Sequence, residues 1–338
     1  MHMADALLTP AVAGTMYACS TVAAGYSVKK IRSKSDEKKI PVMGVMGAFV
    51  FAAQMINFTI PGTGSSGHLC GGMLLSAILG PDAGFITMIG VLLVQCLLFA
   101  DGGLLALGAN IWNMAFYGCF IGGMLIWKYI VNKGMSKRKI AIASIFGCVV
   151  SLQLGAFSVT LETLASGITE LPFSMFLAVM QPIHLAIGIV EGLITAAVLI
   201  FIYEARPELL WGYNEESENK GRLSYKGTIA VLASCVVVIG GLLSLVASSN
   251  PDGLEWSMEK VSKTSELAAK DNNVYKIAEH IQSLTSLLPD YAWKNSENAS
   301  GTMFSGIVGG IVVVAICIAA CLLLRLFRKK KTGYDKND

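Results

Sequence analysis

Apolar residues come in nine runs along the chain, near 6–28, 41–60, 69–80, 83–100, 104–131, 140–166, 175–203, 225–247 and 303–326. A helix rises 1.5 Å per residue, so about 20 residues cross roughly 30 Å of hydrocarbon. The runs predict nine membrane helices. The run 69–80 is short for a full crossing and predicts a helix that begins inside a buried loop. Irregular backbone is tolerated at membrane depth only where protein or a cavity covers it. The expected fold class is therefore an all-α polytopic membrane protein. A seven-helix block occupies 1–203, a polar cytoplasmic linker 204–224, and a two-helix segment 225–338 encloses an external loop at 248–302 and ends in a basic tail.

Charge orients these spans. Basic residues gather after the first run (Lys29, Lys30, Arg32, Lys34, Lys38, Lys39), the fifth (Lys133, Lys137, Arg138, Lys139), the seventh (Arg206, Lys220, Arg222, Lys226) and the ninth (Arg325, Arg328, Lys329, Lys330, Lys331). The connections 61–68, 101–103 and 167–173 hold no Lys or Arg. With nine crossings every basic connection but one falls on one side, which the positive-inside rule makes cytoplasmic. The exception is the long loop, with Lys260, Lys263, Lys270, Lys276 and Lys294. This predicts an external N-terminus and a cytoplasmic C-terminus in the cell membrane.

Composition supports the same class. Of 338 residues, 54% are hydrophobic and 14% charged, against about a quarter charged in soluble domains. Nucleic-acid binding and soluble catalysis drop out, and the external loop is too small to hold an enzyme core alone. The eight cysteines form no C-x-x-C pair, which argues against structural zinc. No basic region or small-residue cleavage site precedes the first run, so a removable signal peptide is not expected. A Met followed by a residue as bulky as His is expected to be retained. No P-loop motif occurs, so any ATP-derived energy must come from another chain.

Four histidines stand at 2, 68, 184 and 280. At Met1–His2, a terminal amine, the next backbone nitrogen and the imidazole can close chelate rings around one ion. A nitrogen from His68 would complete a square plane, a geometry that favours Ni(II) or Cu(II). His68 lies in a stretch, Pro61 to Gly72, that holds five glycines, a pattern for close backbone approach. The same loop holds Gly64-Ser65-Ser66-Gly67, a weak match to the serine motif of rhomboid-like intramembrane proteases, with His184 as the nominal base. His184 and Glu191 lie two helical turns apart and share a face. Buried ionisable groups in a span usually face a site or a partner. Asn57, Asn110, Asn113, Asp101 and Glu162 carry a weaker form of that signal. Gly44, Ala48 and Ala52 recur every fourth residue, a stripe for close helix packing within the chain or for docking another subunit.

Several motifs together resemble the CbiM/NikM family. They are Met1-His2-Met-Ala-Asp5, Phe51-Ala-Ala-Gln-Met-Ile-Asn57-Phe, Gly-Ser-Ser-Gly-His68-Leu, Phe99-Ala-Asp-Gly-Gly-Leu-Leu-Ala-Leu-Gly-Ala-Asn110 and His184-x-x-Ile-Gly-x-x-Glu191-Gly. That family comprises the substrate-capture (S) subunits of energy-coupling factor transporters for nickel and cobalt. Residues 225–326, with Asn250-Pro-Asp-Gly-Leu-Glu-Trp256, resemble the two-helix accessory subunit of the same systems. The resemblance implies a tucked N-terminus, with the ion held by the Met1 amine, His2 and His68. Asn57, Ser66, Asn110, His184 and Glu191 become candidates for the surroundings or pathway of the ion. It implies a transmembrane coupling (T) subunit and two ABC-type ATPase subunits as partners, with Gly44, Ala48 and Ala52 as a docking stripe. Ni2+ is the implied substrate and Co2+ the alternative, because cobalt members more often carry a Cys-Ser-His-Pro version of the loop. Cys70 departs from the nickel pattern and reads as a small packing residue.

Overall fold

A computed structural model of the chain describes residues 1–34, 39–214, 221–264, 267, 272–294 and 300–334. Lys38, Lys220 and Lys270, counted above for orientation, lie outside them. The first part comprises α1 (Pro10–Lys34), α2 (Lys39–Gln54), α3 (Gly72–Leu79), α4 (Pro81–Phe99), α5 (Leu107–Val131), α6 (Lys137–Ser166) and α7 (Phe173–Ala205). A two-stranded antiparallel hairpin, β1 (Phe58–Ile60) and β2 (Ser65–Gly67), pairs Thr59 with Ser66 between α2 and α3. The second part comprises α8 (Tyr225–Val246), α9 (Gly253–Ser262), α10 (Asn273–Thr285) and α11 (Ser300–Tyr334).

Among the described residues, six helices are long and apolar enough to cross a membrane: α4, α5, α6, α7, α8 and α11. The chain is thus a polytopic all-α membrane protein, with fewer full-length apolar spans than the nine expected. α3 has only 8 residues, every one of them buried. At 1.5 Å per residue it reaches about 12 Å, so it is a half-helix covered by protein. α2 has 16 residues, somewhat less than a crossing. α1 begins at Pro10 rather than near residue 6. Proline suits the first helical position, and Asp5–Leu7 instead form a single tight turn. That turn directs the chain inward: Met1 and Met3 are 4% and 0% exposed.

The accessory helices pack on the block. α11 lies along α2 and α4, and crosses α8 where Gly306 meets the Gly240 backbone. The small-residue stripe on α2 serves this contact. Gly44 faces Val314, Ala48 faces Gly310 and Ala52 faces Gly240. The docking expectation for Gly44, Ala48 and Ala52 therefore meets a surface already covered by the chain's own helices. Small residues let two backbones approach, but spacing alone does not say whose backbone arrives.

The loop between α8 and α11 folds back over one end of the block. The Ser66 amide donates to the Pro251 carbonyl (2.8 Å) and the Ser248 amide to the Asn57 carbonyl (2.7 Å). Trp256 Nε1 donates to the Thr63 carbonyl (3.1 Å) and the Tyr275 hydroxyl to the Leu8 carbonyl (2.6 Å). These bonds seat α9 and α10 on the hairpin and the N-terminal turn.

Candidate metal centre

The amino terminus is held in the block by backbone and amide groups. The Met3 amide donates to Asn110 Oδ1 (2.7 Å), and Asn110 Nδ2 and the Gly103 amide donate to the Met3 carbonyl (3.1 and 2.9 Å). Asp5 Oδ1 accepts from the Ala106 amide at 2.9 Å. This grip needs the Gly102–Gly103 turn. Gly102 sits at φ +80°, and a side chain at Gly103 would run into Asp5. Gly103→Ala is therefore expected to push the N-terminus off its seat and weaken ion binding by about 10- to 100-fold, the usual range for disturbing groups that support a ligand. Competitive metal titration checks this; unchanged affinity would release the turn from that role.

His68 is placed by the turn into α3. Glu191 reaches from α7 and accepts the amides of Cys70 (3.0 Å) and Gly71 (2.9 Å), while Gln54 Nε2 donates to the Cys70 carbonyl (2.7 Å). Gly71 adopts φ +80° against Val50. Glu191 thus anchors the loop that carries His68. His68 is 7% exposed. Its Nδ1 lies 3.1 Å from the Leu69 carbonyl, so the bonding network assigns the proton there. That leaves the Nε2 lone pair facing the Met1 amine at 3.0 Å.

The amine's counter-ion comes from the accessory part. Met1 N lies 2.5 Å from Asp252 Oδ2, and that oxygen is 3.8 Å from His68 Nε2. Asp252 also caps α9, accepting the amides of Leu254 (2.8 Å) and Glu255 (2.9 Å). Glu255 returns the bond to the Asp252 amide (3.1 Å), completing a capping box. Burial works against charge on both partners, yet their attraction wins. The amine is raised above its ordinary value, with Asp252 the main opposing influence to burial. Asp252 is held well below the usual carboxylate range by the amine first and then His68. Burial, then the amine's charge, lowers His68, and burial lowers His2 despite Asp101. At neutral pH the cluster is an ammonium–carboxylate pair flanked by two neutral imidazoles.

His2 stacks on His68, ring centres 5.2 Å apart and 20° from parallel. Both of its ring nitrogens have protein partners: Nδ1 lies 3.2 Å from Asp101 Oδ1 and Nε2 3.3 Å from Gln95 Oε1. The Tyr291 hydroxyl donates to Asp101 Oδ2 (2.5 Å) and accepts from Gln95 Nε2 (3.2 Å). An ion on His2 Nδ1 would therefore have to displace the Asp101 contact. No group of three His, Cys, Asp or Glu side chains among the described residues is arranged to hold a metal. The terminal amine and the His2 backbone nitrogen are further donors that this cluster offers beside its imidazoles.

The structure thus brings Met1, His2 and His68 together, with Asn110 and Glu191 as supports. His184 is buried beside them and lines one cavity with Met1, His68 and Asp252. Its Nδ1 bonds the Met180 carbonyl (2.8 Å), and a Cβ added to Gly253 would sit 3.2 Å from its Nε2. Ser66 turns its hydroxyl to the Asn250 and Pro251 carbonyls (2.8 and 3.2 Å), not to a histidine base. Asn57 contacts the accessory loop, its backbone carbonyl accepting the Ser248 amide, and His280 is exposed on α10. Asn113 donates to Glu162 (2.8 Å). Asp252, Gln95 and Tyr291 were not expected in the site. The Asp-x-x-Glu of Asp252–Glu255 signals a helix start in the sequence, but nothing linear ties it to Met1.

This geometry defines a membrane protein with a buried cluster of nitrogen donors at its amino terminus. Residues 2–209 match the family model for the cobalt uptake substrate-specific transmembrane region, and residues 226–326 match the PDGLE domain. The chain belongs to that CbiM/NikM family of metal-transport proteins, here joined to a PDGLE domain, and not to a family of enzymes. It is 34% identical over 322 residues to a putative fused nickel transport protein of Archaeoglobus fulgidus, covering 94% of this chain and 97% of that one. A cobalt transport protein of Geobacter sulfurreducens is 27% identical, covering 62% of this chain and 61% of its own length. A crystal structure titled as a truncated transition metal transporter superposes with a TM-score of 0.54 at 31% identity, over 60% of this chain and 99% of that one.

Proposed function

We propose that the chain is the ion-capturing S subunit of an ATP-driven energy-coupling factor importer that takes up Ni2+ from the extracytoplasmic side. The observation that carries this reading is the 3.0 Å approach of the Met1 amine to His68 Nε2 in a buried cluster. The donors are the Met1 amine, the His2 backbone nitrogen, His2 Nδ1 and His68 Nε2. Asn110 and Glu191 hold those donors in place, and His184 borders the ion's cavity.

Residues 1–203 form the capture domain, 204–224 a cytoplasmic linker and 225–338 the accessory domain. The N-terminus is external and the C-terminus cytoplasmic. A coupling T subunit and two ABC-type ATPase subunits supply the energy. The nickel-type form of the loop before His68 is the basis for choosing nickel, and a planar set of four nitrogens would suit Ni(II) better than Co(II).

Competition between Ni2+ and Co2+ on the purified full chain tests the choice. Tighter Ni2+ binding with a yellow, square-planar absorption band is expected. Equal or tighter Co2+ binding without that band would assign the chain to cobalt import instead.

A further inference from the structure

We propose that α10 lies in the membrane interface, with Val274, Ile277, Ile281 and Leu284 set against a lipid leaflet at the end of the bundle that carries Met1. The proposal goes beyond metal capture and stands or falls separately from it.

The first support is the division of α10 into three faces. At about 100° per residue, Tyr275, Ala278 and Gln282 share one side, and they are the residues turned to the block. Tyr275 and Ala278 are buried, and Gln282 Nε2 donates to the carbonyls of Cys96 (3.0 Å) and Gly102 (2.8 Å). Val274, Ile277, Ile281 and Leu284 share a second side, roughly 110° away, and are exposed, Ile277 by 59% and Leu284 by 69%. Glu279, His280 and Ser283 share the third. A helix lying in water on a protein surface needs only two faces. Three faces are what a helix needs when it touches protein, lipid and solution at once.

The second support is its level. Tyr275 bonds the Leu8 carbonyl, just before α1, and Gln282 bonds the last turn of α4. The Leu288 amide then donates to the Leu98 carbonyl (3.2 Å). α10 therefore runs along the rim of the bundle at the height where two helices end. Leu287, 65% exposed, extends the apolar side beyond the helix.

The third support is an aromatic marker nearby in the chain. Trp293 is 40% exposed, stacks on Phe304 with ring centres 4.9 Å apart, and donates to Ser300 at the start of α11. Exposed tryptophan at a helix end is the usual mark of the membrane–water boundary. Lys276 and Glu279 balance in charge, so the attraction is to apolar lipid depth and needs no anionic headgroup.

The test places a spin label singly at Ile277→Cys, Ile281→Cys, Leu284→Cys, Glu279→Cys and Ser283→Cys. The full chain carries Cys19→Ala and Cys235→Ala, since those two native thiols are partly accessible and the other six are buried. In phosphatidylcholine vesicles, the ratio of oxygen to chromium oxalate accessibility is expected to be several-fold higher at 277, 281 and 284 than at 279 and 283. Water-like ratios at all five positions would lift α10 clear of the membrane. Shielding of 277, 281 and 284 from both reagents would mean that protein covers the apolar side. Either result overturns the proposal. All five positions are exposed, so the labels test the surface without disturbing the core.

Discussion

Adding a single glycine ahead of Met1 is expected to abolish nickel binding. The extension turns the Met1 nitrogen from an amine into a peptide nitrogen and moves the new terminus about 3.8 Å along the chain. Three consequences follow. The amine leaves its seat beside His68, and the Met1 nitrogen can then ligate only as a second peptide nitrogen that must first lose its proton. Asp252 then faces a neutral amide in place of an ammonium 2.5 Å away. A buried charge that loses its partner commonly costs about 3–5 kcal/mol, so α9 would lose its hold on the terminus. The added residue must also fit where Met1 is only 4% exposed. Nickel affinity should fall at least about 1,000-fold, or ~4 kcal/mol. Isothermal titration of matched proteins in the same detergent measures it. The membrane helices do not depend on this corner, so helical content should be unchanged, which separates lost ligation from misfolding. Retained affinity would remove the terminal amine from the site.

The parts of this site differ in how far the sequence reveals them. Hydropathy runs reflect solvent preference residue by residue, so the six membrane-length apolar helices can be read from the sequence, whereas the runs at α1, α2 and α3 do not become such helices. Met1–His2 is a candidate chelate by covalent proximity and is equally visible. His68 enters through its glycine-rich loop and the family resemblance. Asp252 is 251 residues from Met1, and its capping box states only that a helix starts there. Tyr291 likewise reaches Asp101 across 190 positions. Such long-range pairs depend on how the accessory loop lies on the block, and no local pattern encodes that. The stripe at Gly44, Ala48 and Ala52 is an intermediate case: close packing was legible, the packing partner was not. α3 is the converse: its run was noted as short yet counted among the nine crossings, and it forms a helix of only 8 residues, all buried.

Proton competition gives the second large effect, and its sign follows from the charge states in the cluster. A metal ligand must give up its proton before it binds. The amine's folded pKa is raised above its ordinary value near 8.0, so at neutral pH it is an ammonium and must release one proton. The His2 backbone nitrogen must release another if it ligates. His2 and His68 are both lowered, His68 to about 3, so His68 is already neutral across this range and His2 gives up less proton than an ordinary imidazole would. Affinity should therefore rise with pH, by roughly 100-fold per unit below the amine's pKa, since each released proton contributes a factor of ten per unit. Above that pKa only the backbone proton remains and the slope should halve. Competitive titration against a chelator of known pH dependence, carried upward from pH 6 until the slope changes, measures both limbs. A tenfold slope below the break would exclude the backbone nitrogen, and a flat profile would exclude the amine as well. Asp252→Asn offers an internal check on the cause. Asp252 is what raises the amine against the opposing pull of burial, so its neutralisation should move the break to lower pH while the slopes on either side stay the same. A break that stayed in place would mean that Asp252 does not set the amine's protonation.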